Sequence, residues 1–284
     1  MPKLSIITIN FNDKVGLKRT IDSVKSQTWR DFEHIIIDGG STDGSLELIQ
    51  SESSHFSHWV SEKDKGIYNA QNKGILAAKG EYCQFLNSGD FLFDEKVLEN
   101  IFSKNPNEDL LYGDMSIDYG NRIEYGKSPD RLTFPFLALE VLWHCTCFIK
   151  RELFSKYGTY DEAFRIVADV DFFFRALGMN DSSWRYFPLR IAQFNTGGFG
   201  SSPANQKLLA DERERMLNKY LTPLQIEMCK TYLSLENECI RYRMSRVVRL
   251  SNLIKRIPVL SHSIQLLLFV MEKFYRLVRG YKLS

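Results

Sequence analysis

The chain has 284 residues, of which 44% are hydrophobic and 13% aromatic, which excludes a disordered protein and supplies a large apolar core. Its formal net charge of +2 leaves no whole-chain electrostatic footprint for nucleic acid, and no nucleic-acid partner is expected. The five cysteines, Cys83, Cys145, Cys147, Cys229 and Cys239, show no disulfide or zinc spacing and read as reduced thiols of a cytosolic protein.

Strand and helix signals alternate from the start. The N-terminal MPKLSIITIN turns polar too early for a signal peptide, and its residues 4–9, apolar and β-branched, predict a buried strand. Residues 14–27 follow as a helix, with Leu17, Ile21 and Val24 on one face. Residues 34–37 predict a second buried strand that runs into the turn-rich DGGSTDGS. A short strand at 58–60, a helix with Ile67, Ala70, Gly74, Ile75 and Ala78 on one face, and strands at 82–86 and 110–112 complete the pattern. Repeated βα units of this kind predict an α/β core with a mostly parallel sheet.

Beyond residue 125 the alternation weakens. Residues 142–148 and 190–194 predict strands, 168–178 a helix, and the chain from Pro203 onward is mainly helical. We therefore expect a catalytic domain over residues 1–202 and a helical extension over 203–284. No apolar run of about 20 residues is present to span a bilayer.

Polar segments follow the predicted strands, and ligands of open parallel sheets collect at those carboxyl ends. Thr8, Asn10, Asn12 and Asp13 follow the first strand, where they would hydrogen-bond a base or ribose, or cap the next helix. Asp38 ends the second strand and would meet a ribose or a metal, while Asp43 would do the same or cap a helix. Asn87-Ser88-Gly89-Asp90 ends the strand at 82–86. Its acid suits a hard divalent cation, although a plain turn reads the same way. Neither G-x-G-x-x-G after the first strand nor a G-x-x-x-x-G-K-[ST] loop occurs.

Taken in order, SIITINFN, IIIDGGSTDGS, SEKDKGIYNAQNKGILAAKGEY and FLNSGD resemble the family 2 glycosyltransferases. The resemblance spans roughly residues 3–200 and lies nearest the bacterial enzymes of O-antigen, capsule and exopolysaccharide assembly. It implies a GT-A, Rossmann-like nucleotide-sugar-binding core with a mixed, mostly parallel sheet. It implies that Thr8, Asn10, Asp13 and Asp38 bind the nucleoside, and that Asp64 and Lys73 line the donor site. Asp90 matches the last acid of the family's Asp-x-Asp motif, as ligand of Mg2+ or Mn2+, with Ser88 on the donor side in place of the first Asp. Asp64 and Lys73 read equally as surface or capping residues.

Ala168-Asp169-Val170-Asp171 resembles the family segment that supplies the catalytic base. Aligned so, Asp169 is the base and Asp171 supports the helix, but the two are not separable by sequence, and both would also suit a helix N-terminus. His144 stands where similar transferases often read His-Gln, on the acceptor or phosphate side, or as a core histidine. The loop 195–202 would cover the site or simply lie on the surface. The resemblance thus implies an inverting transfer from a nucleotide sugar, with UDP favoured, to a saccharide or lipid-linked saccharide. A noncatalytic nucleotide-sugar-binding or scaffold protein and a nucleotidyltransferase are the alternatives.

Between residues 241 and 284, ten Lys and Arg face one acid, Glu272. Leu253, Ile257, Leu260, Ile264, Leu267, Met271, Phe274 and Val278 form a helical apolar stripe within that stretch, interrupted by Pro258. Such a tail would lie on the anionic inner face of the cell membrane, making a cytoplasmic protein peripheral, or would pack on protein.

Overall fold

The computed structural model describes residues 1–244 together with 269, 270 and 273. Strands β1 (Leu4–Asn10), β2 (Phe32–Asp38), β3 (His58–Ser61) and β4 (Tyr82–Phe85) form a parallel half-sheet in the order β3-β2-β1-β4. Helices α1 (Lys14–Lys25), α2 (Ser45–Ser51) and α3 (Ile67–Ala77) connect them. All seven β1 residues are buried, as expected of a central strand covered on both faces. The β1–β2 register sets Asn10 directly beside Asp38, so the polar residues that end the two strands meet at one edge.

The other half is antiparallel in part. After β5 (Phe91–Leu92) and α4 (Val97–Phe102), β6 (Leu110–Asp118) and β7 (Ile123–Gly126) form a hairpin. Helix α5 (Phe134–Leu139) precedes β8 (Cys147–Lys150), which pairs antiparallel with both β4 and β6 and joins the two halves. Helices α6 (Glu152–Tyr157) and α7 (Ala168–Phe173) follow, then β9 (Trp184–Asn195), parallel to β6 and antiparallel to β5. The result, among the described residues, is one nine-stranded mixed sheet.

The main core joins Leu4, Ile6, Tyr82, Leu111, Phe148 and Phe187 from five strands. A second cluster, Leu17, Ile21, Ile36 and Ile49, fixes α1 and α2 to β2. Each buried side chain of this size contributes about 1.5–3 kcal/mol. Helix α3 sits very close to β1: a Cβ at Gly74 would lie 2.3 Å from Ile7 Cγ2. Gln71 of the same helix reaches Asn87, just after β4.

Several elements differ from the sequence expectations. The strand expected over 142–148 starts only at Cys147, because the Trp143 carbonyl accepts from the Thr146 amide (3.0 Å), closing a single turn over His144–Thr146. The helix expected over 168–178 is α only to Phe173 and then widens into a π turn, Phe174–Gly178. Strands β5 and β7 are too short for a periodic signal. Strand β9 extends well beyond 190–194 because its register with β6 shifts at Gly113 and Asp114, which lets pairing continue.

The chain forms two compact units, Met1–Ile226 and Glu227–Ser284. The first runs past residue 202 because helix α8 (Gln206–Tyr220) is tied into it. The Glu212 carboxylate accepts from the amides of Arg165 (2.8 Å) and Ile166 (2.9 Å). Most of α9 (Pro223–Met244) belongs to the second unit. The eight residues of the apolar tail stripe lie outside the described residues. Among the described residues, no helix is long and apolar enough to cross a membrane. All five cysteines are free thiols.

Candidate active site

At the ends of β1 and β2, the Asp38 carboxylate is saturated with donors. Asn10 Nδ2 (2.7 Å) and Ser41 Oγ (2.5 Å) donate to Oδ1. Ser61 Oγ (2.6 Å) and the Ser41 amide (2.9 Å) donate to Oδ2. Burial alone would raise its pKa, but the Ser41, Ser61 and Asn10 bonds outweigh it and hold the carboxyl below its ordinary value. A permanently charged Asp38 thus organises the DGGS turn. Asn10 keeps one buried oxygen, Oδ1, without a partner, which a ligand at the strand ends would satisfy.

The other donor-side candidates divide by position. Asp13 caps α1 through the Gly16 amide (2.9 Å), and its second oxygen faces the SGD turn, 3.6 Å from where a Cβ on Gly89 would stand. Asp64 hangs over the DGG turn: a Cβ on Gly39 would lie 2.6 Å from its Oδ2, while Oδ1 accepts from the Gly66 amide (2.8 Å). Lys73 pairs with Glu62 at 2.6 Å. Thr8 is fully buried with its hydroxyl 3.0 Å from His34 Nε2, beneath the strand ends rather than at their surface. Burial pushes that histidine down to about 3, so it is neutral.

The SGD turn is held in place by the end of β1 and by α1. The Ser88 amide donates to the Ile9 carbonyl (2.9 Å), and Thr20 Oγ1 donates to the Asp90 carbonyl (2.6 Å). Ser88 is half-buried. Asp90 is only 3% exposed, and its carboxylate accepts the Asn195 amide (3.3 Å), which brings the start of the 195–202 loop onto this acid. Burial pushes the Asp90 carboxyl up to about 7, against the opposing pull of His144 and the Asn195 amide.

That shift has a defined sign. The folded chain holds the Asp90 proton to about pH 7, whereas the ordinary value is 3.8. The associated stability is full below the lower value and is lost as pH rises through the upper one. In EDTA, Asp90→Asn is expected to melt above the parent at about pH 8 and level with it at about pH 4. Thermal melts across that range check this, and a gap independent of pH would exclude the linkage.

Asp169 and Asp171 sit two residues apart on α7 but in different surroundings. Asp171 has no exposed surface. It accepts from Arg175 Nε (2.8 Å) and Tyr220 Oη (2.8 Å), with Lys219 Nζ at 3.4 Å. Asp169 is 7% exposed. Its Oδ1 accepts from Tyr68 Oη and the Val170 amide, both at 2.9 Å, and its Oδ2 accepts from His144 Nδ1 at 3.2 Å. His144 Nε2 lies 3.3 Å from Asn87 Nδ2, and Gln71 Nε2 donates to Asn87 Oδ1 (3.1 Å). Burial disfavours charge on His144, but its bond to Asp169 and the charges of Asp169 and Asp90 outweigh that and raise its pKa. His144 therefore lies in the field of both the SGD acid and the α7 acid.

The structure thus gathers Asn10, Asp13, Asp38, Asp64, Ser88 and Asp90 at the strand ends, with His144 in the field of Asp90 and bonded to Asp169. It leaves Thr8 below the site, Lys73 on Glu62 and Asp171 behind α7. Sequence reading did not single out Tyr68, Gln71, Asn87, Ser41 or Ser61. The only signal for them was membership of the quoted segments; apart from Ser41, which bonds Asp38 three residues away, each acts through a partner distant in sequence.

The family model "Glycosyl transferase family 2" matches residues 5–158. An uncharacterized glycosyltransferase of Mycobacterium tuberculosis is 34% identical over 221 residues, covering 75% of this chain and 82% of that protein. A PGL/p-HBAD biosynthesis glycosyltransferase of Mycobacterium bovis is 30% identical over 217 residues, covering 73% and 83%. Among solved structures, residues 1–349 of S. aureus TarS in complex with UDP-GlcNAc align with a TM-score of 0.63 at 17% identity, over 80% of this chain and 70% of that one. The Pyrobaculum calidifontis mannosyltransferase PcManGT, in complex with GDP-Man and Mn2+, aligns at 0.54 and 14% identity, over 87% and 82%. These likenesses agree with the α/β sheet in giving a GT-A fold. The chain belongs to glycosyl transferase family 2 and is a glycosyltransferase.

Proposed function

We propose that the chain is an inverting glycosyltransferase that moves a sugar from a nucleoside-diphosphate sugar, with UDP favoured, to a hydroxyl of a saccharide or lipid-linked saccharide. Its setting would be surface polysaccharide assembly, of the O-antigen kind, in the cytoplasm, with the basic tail against the inner face of the membrane. The observation that carries the reading is Asp169: a carboxylate with its Oδ2 engaged, among the described residues, only by His144, the same histidine whose charge Asp90 feels. The UDP-GlcNAc complex of TarS supports the choice of donor.

In this reading Asn10, Asp38 and Asp64 hold the nucleoside at the strand ends, and Asp13 braces the SGD turn. Asp169 takes the proton of the acceptor hydroxyl. The oxygen then bonds to the anomeric carbon from the face opposite the diphosphate, whose bond breaks and whose oxygen leaves with the electron pair. Lys73 would reach the diphosphate by leaving Glu62. Among the described residues no three His, Cys, Asp or Glu side chains converge as a metal cage. A single buried carboxylate still fits Mg2+ or Mn2+, because such ions accept one protein acid and complete their shell with phosphate oxygens and water. Asp90 would hold the ion, with Ser88 beside it, and the ion would supply positive charge to the departing diphosphate.

The test is nucleoside-diphosphate release across a panel of donor sugars, with Mg2+ or Mn2+ and a membrane-lipid extract as acceptor. Release from one donor that rises with extract, and a product of inverted anomeric configuration, is the expected result. A product that retains the donor's configuration would overturn the inverting reading.

A further inference from the structure

The two oxygens of Asp169 are not equivalent. Oδ1 receives two donors, Tyr68 Oη and the Val170 amide, each at 2.9 Å. Oδ2 receives one, His144 Nδ1, at a longer 3.2 Å. A carboxylate oxygen has room for about two such bonds, so Oδ1 is filled and Oδ2 has a place left. The Tyr68 hydroxyl has a second acceptor: Oη also lies 2.5 Å from the Ile166 carbonyl. It carries a single hydrogen, and Tyr68 as a whole is 7% exposed. Burial, with the Asp169 charge added, raises its pKa well above the ordinary value, so it stays a donor.

We propose that Tyr68 and His144 are positioning residues that divide the Asp169 oxygens, so that Oδ2 takes the acceptor proton while Tyr68 follows the charge. This rests on the assignment of Asp169 as the base. While Asp169 is ionised, Tyr68 donates to Oδ1. When the acceptor O–H bond breaks and its proton binds Oδ2, Oδ1 becomes the carbonyl oxygen of a neutral acid and a weaker acceptor. The Tyr68 hydrogen then turns to the Ile166 carbonyl, which is already within reach. No proton leaves Tyr68, and the proton lost by the acceptor resides on Asp169. The Ile166 carbonyl is held from the far side, since the Ile166 amide is fixed by the buried Glu212 of α8 (2.9 Å).

Among the described residues, the ionisable groups around Asp169 are Tyr68 from α3, Tyr160 from the loop before α7, His144 and Cys145 from the turn, Cys147 from β8, and Arg213 from α8, whose guanidinium feels the Asp169 charge. Removing the Tyr68 hydroxyl deletes a donor that serves the ionised carboxylate and not the neutral acid.

The experiment is the pH profile of kcat for the full chain and for Tyr68→Phe, with donor KM measured alongside. The acid limb is expected to move up by about one pH unit, with donor KM unchanged and the high-pH plateau within about threefold of the parent. A profile that keeps its acid limb while kcat falls at every pH would overturn the proposal, since a merely structural role does that. Should Tyr68→Phe not fold, His144→Ala is read in the same way, and an unmoved acid limb there overturns it too. Asp169→Asn separates the two levels: an active Asp169→Asn sinks the base assignment itself, whereas an inactive one beside an unshifted Tyr68→Phe sinks only the division of the oxygens.

Discussion

Asp169→Asn is expected to lower kcat by about 100- to 10,000-fold, the range typical for loss of a general base, while donor affinity stays within about twofold of the parent. The asparagine is nearly isosteric and leaves Tyr68, His144 and the Val170 amide in place, so the fold should hold. What it removes is the lone pair that takes the acceptor proton. Stopped turnover with donor titration on the same preparation separates chemistry from binding. Near-parent kcat would show that another group, or water, removes that proton.

Asp171→Ala is expected to behave in the opposite way, losing about 3–5 kcal/mol of stability, as when one member of a buried ion pair is removed. Asp171 has no exposed surface and is the carboxylate to which Arg175, Lys219 and Tyr220 converge. Arg175 also donates to the carbonyls of Tyr157 and Thr159, so the guanidinium cannot swing away to find water. Its charge would lose the buried carboxylate it is paired with. A lower urea midpoint at unchanged slope, with kcat per folded molecule near that of the parent, is the signature. Loss of kcat at full stability would transfer the base role to Asp171.

The contrast between these two acids shows where sequence reading ends. Successive helical positions are about 100° apart, so residues i and i+2 point to different sides of the helix. The pattern Asp-Val-Asp therefore states that the two acids meet different surroundings, but not which. That is settled by Tyr220 and Lys219 on α8 and by Tyr68 on α3, all far along the chain. His144 is similar. Its apolar neighbours read as a strand, and only the turn closed by Thr146 on the Trp143 carbonyl takes it out of the ladder and aims it at Asp169.

Other features were legible because they are local. The runs 4–9 and 34–37 carry their own β-branched, doubly buried signature, and DGGSTDGS and NSGD carry their own turn chemistry. Once the strands are parallel neighbours, chain direction alone sets Asn10, Asp38 and Asp90 at one edge. By itself, then, the sequence determined the α/β alternation, the edge where the polar segments gather, and the family to which their order belongs. The tertiary structure decided that Thr8 lies beneath that edge, that Lys73 is held by Glu62, and that Asp169 meets Tyr68 and His144 while Asp171 meets Arg175 and Tyr220. Each of those outcomes depends on a partner from another element, and a side chain's surroundings are set by the packing of elements rather than by its own neighbours in the chain.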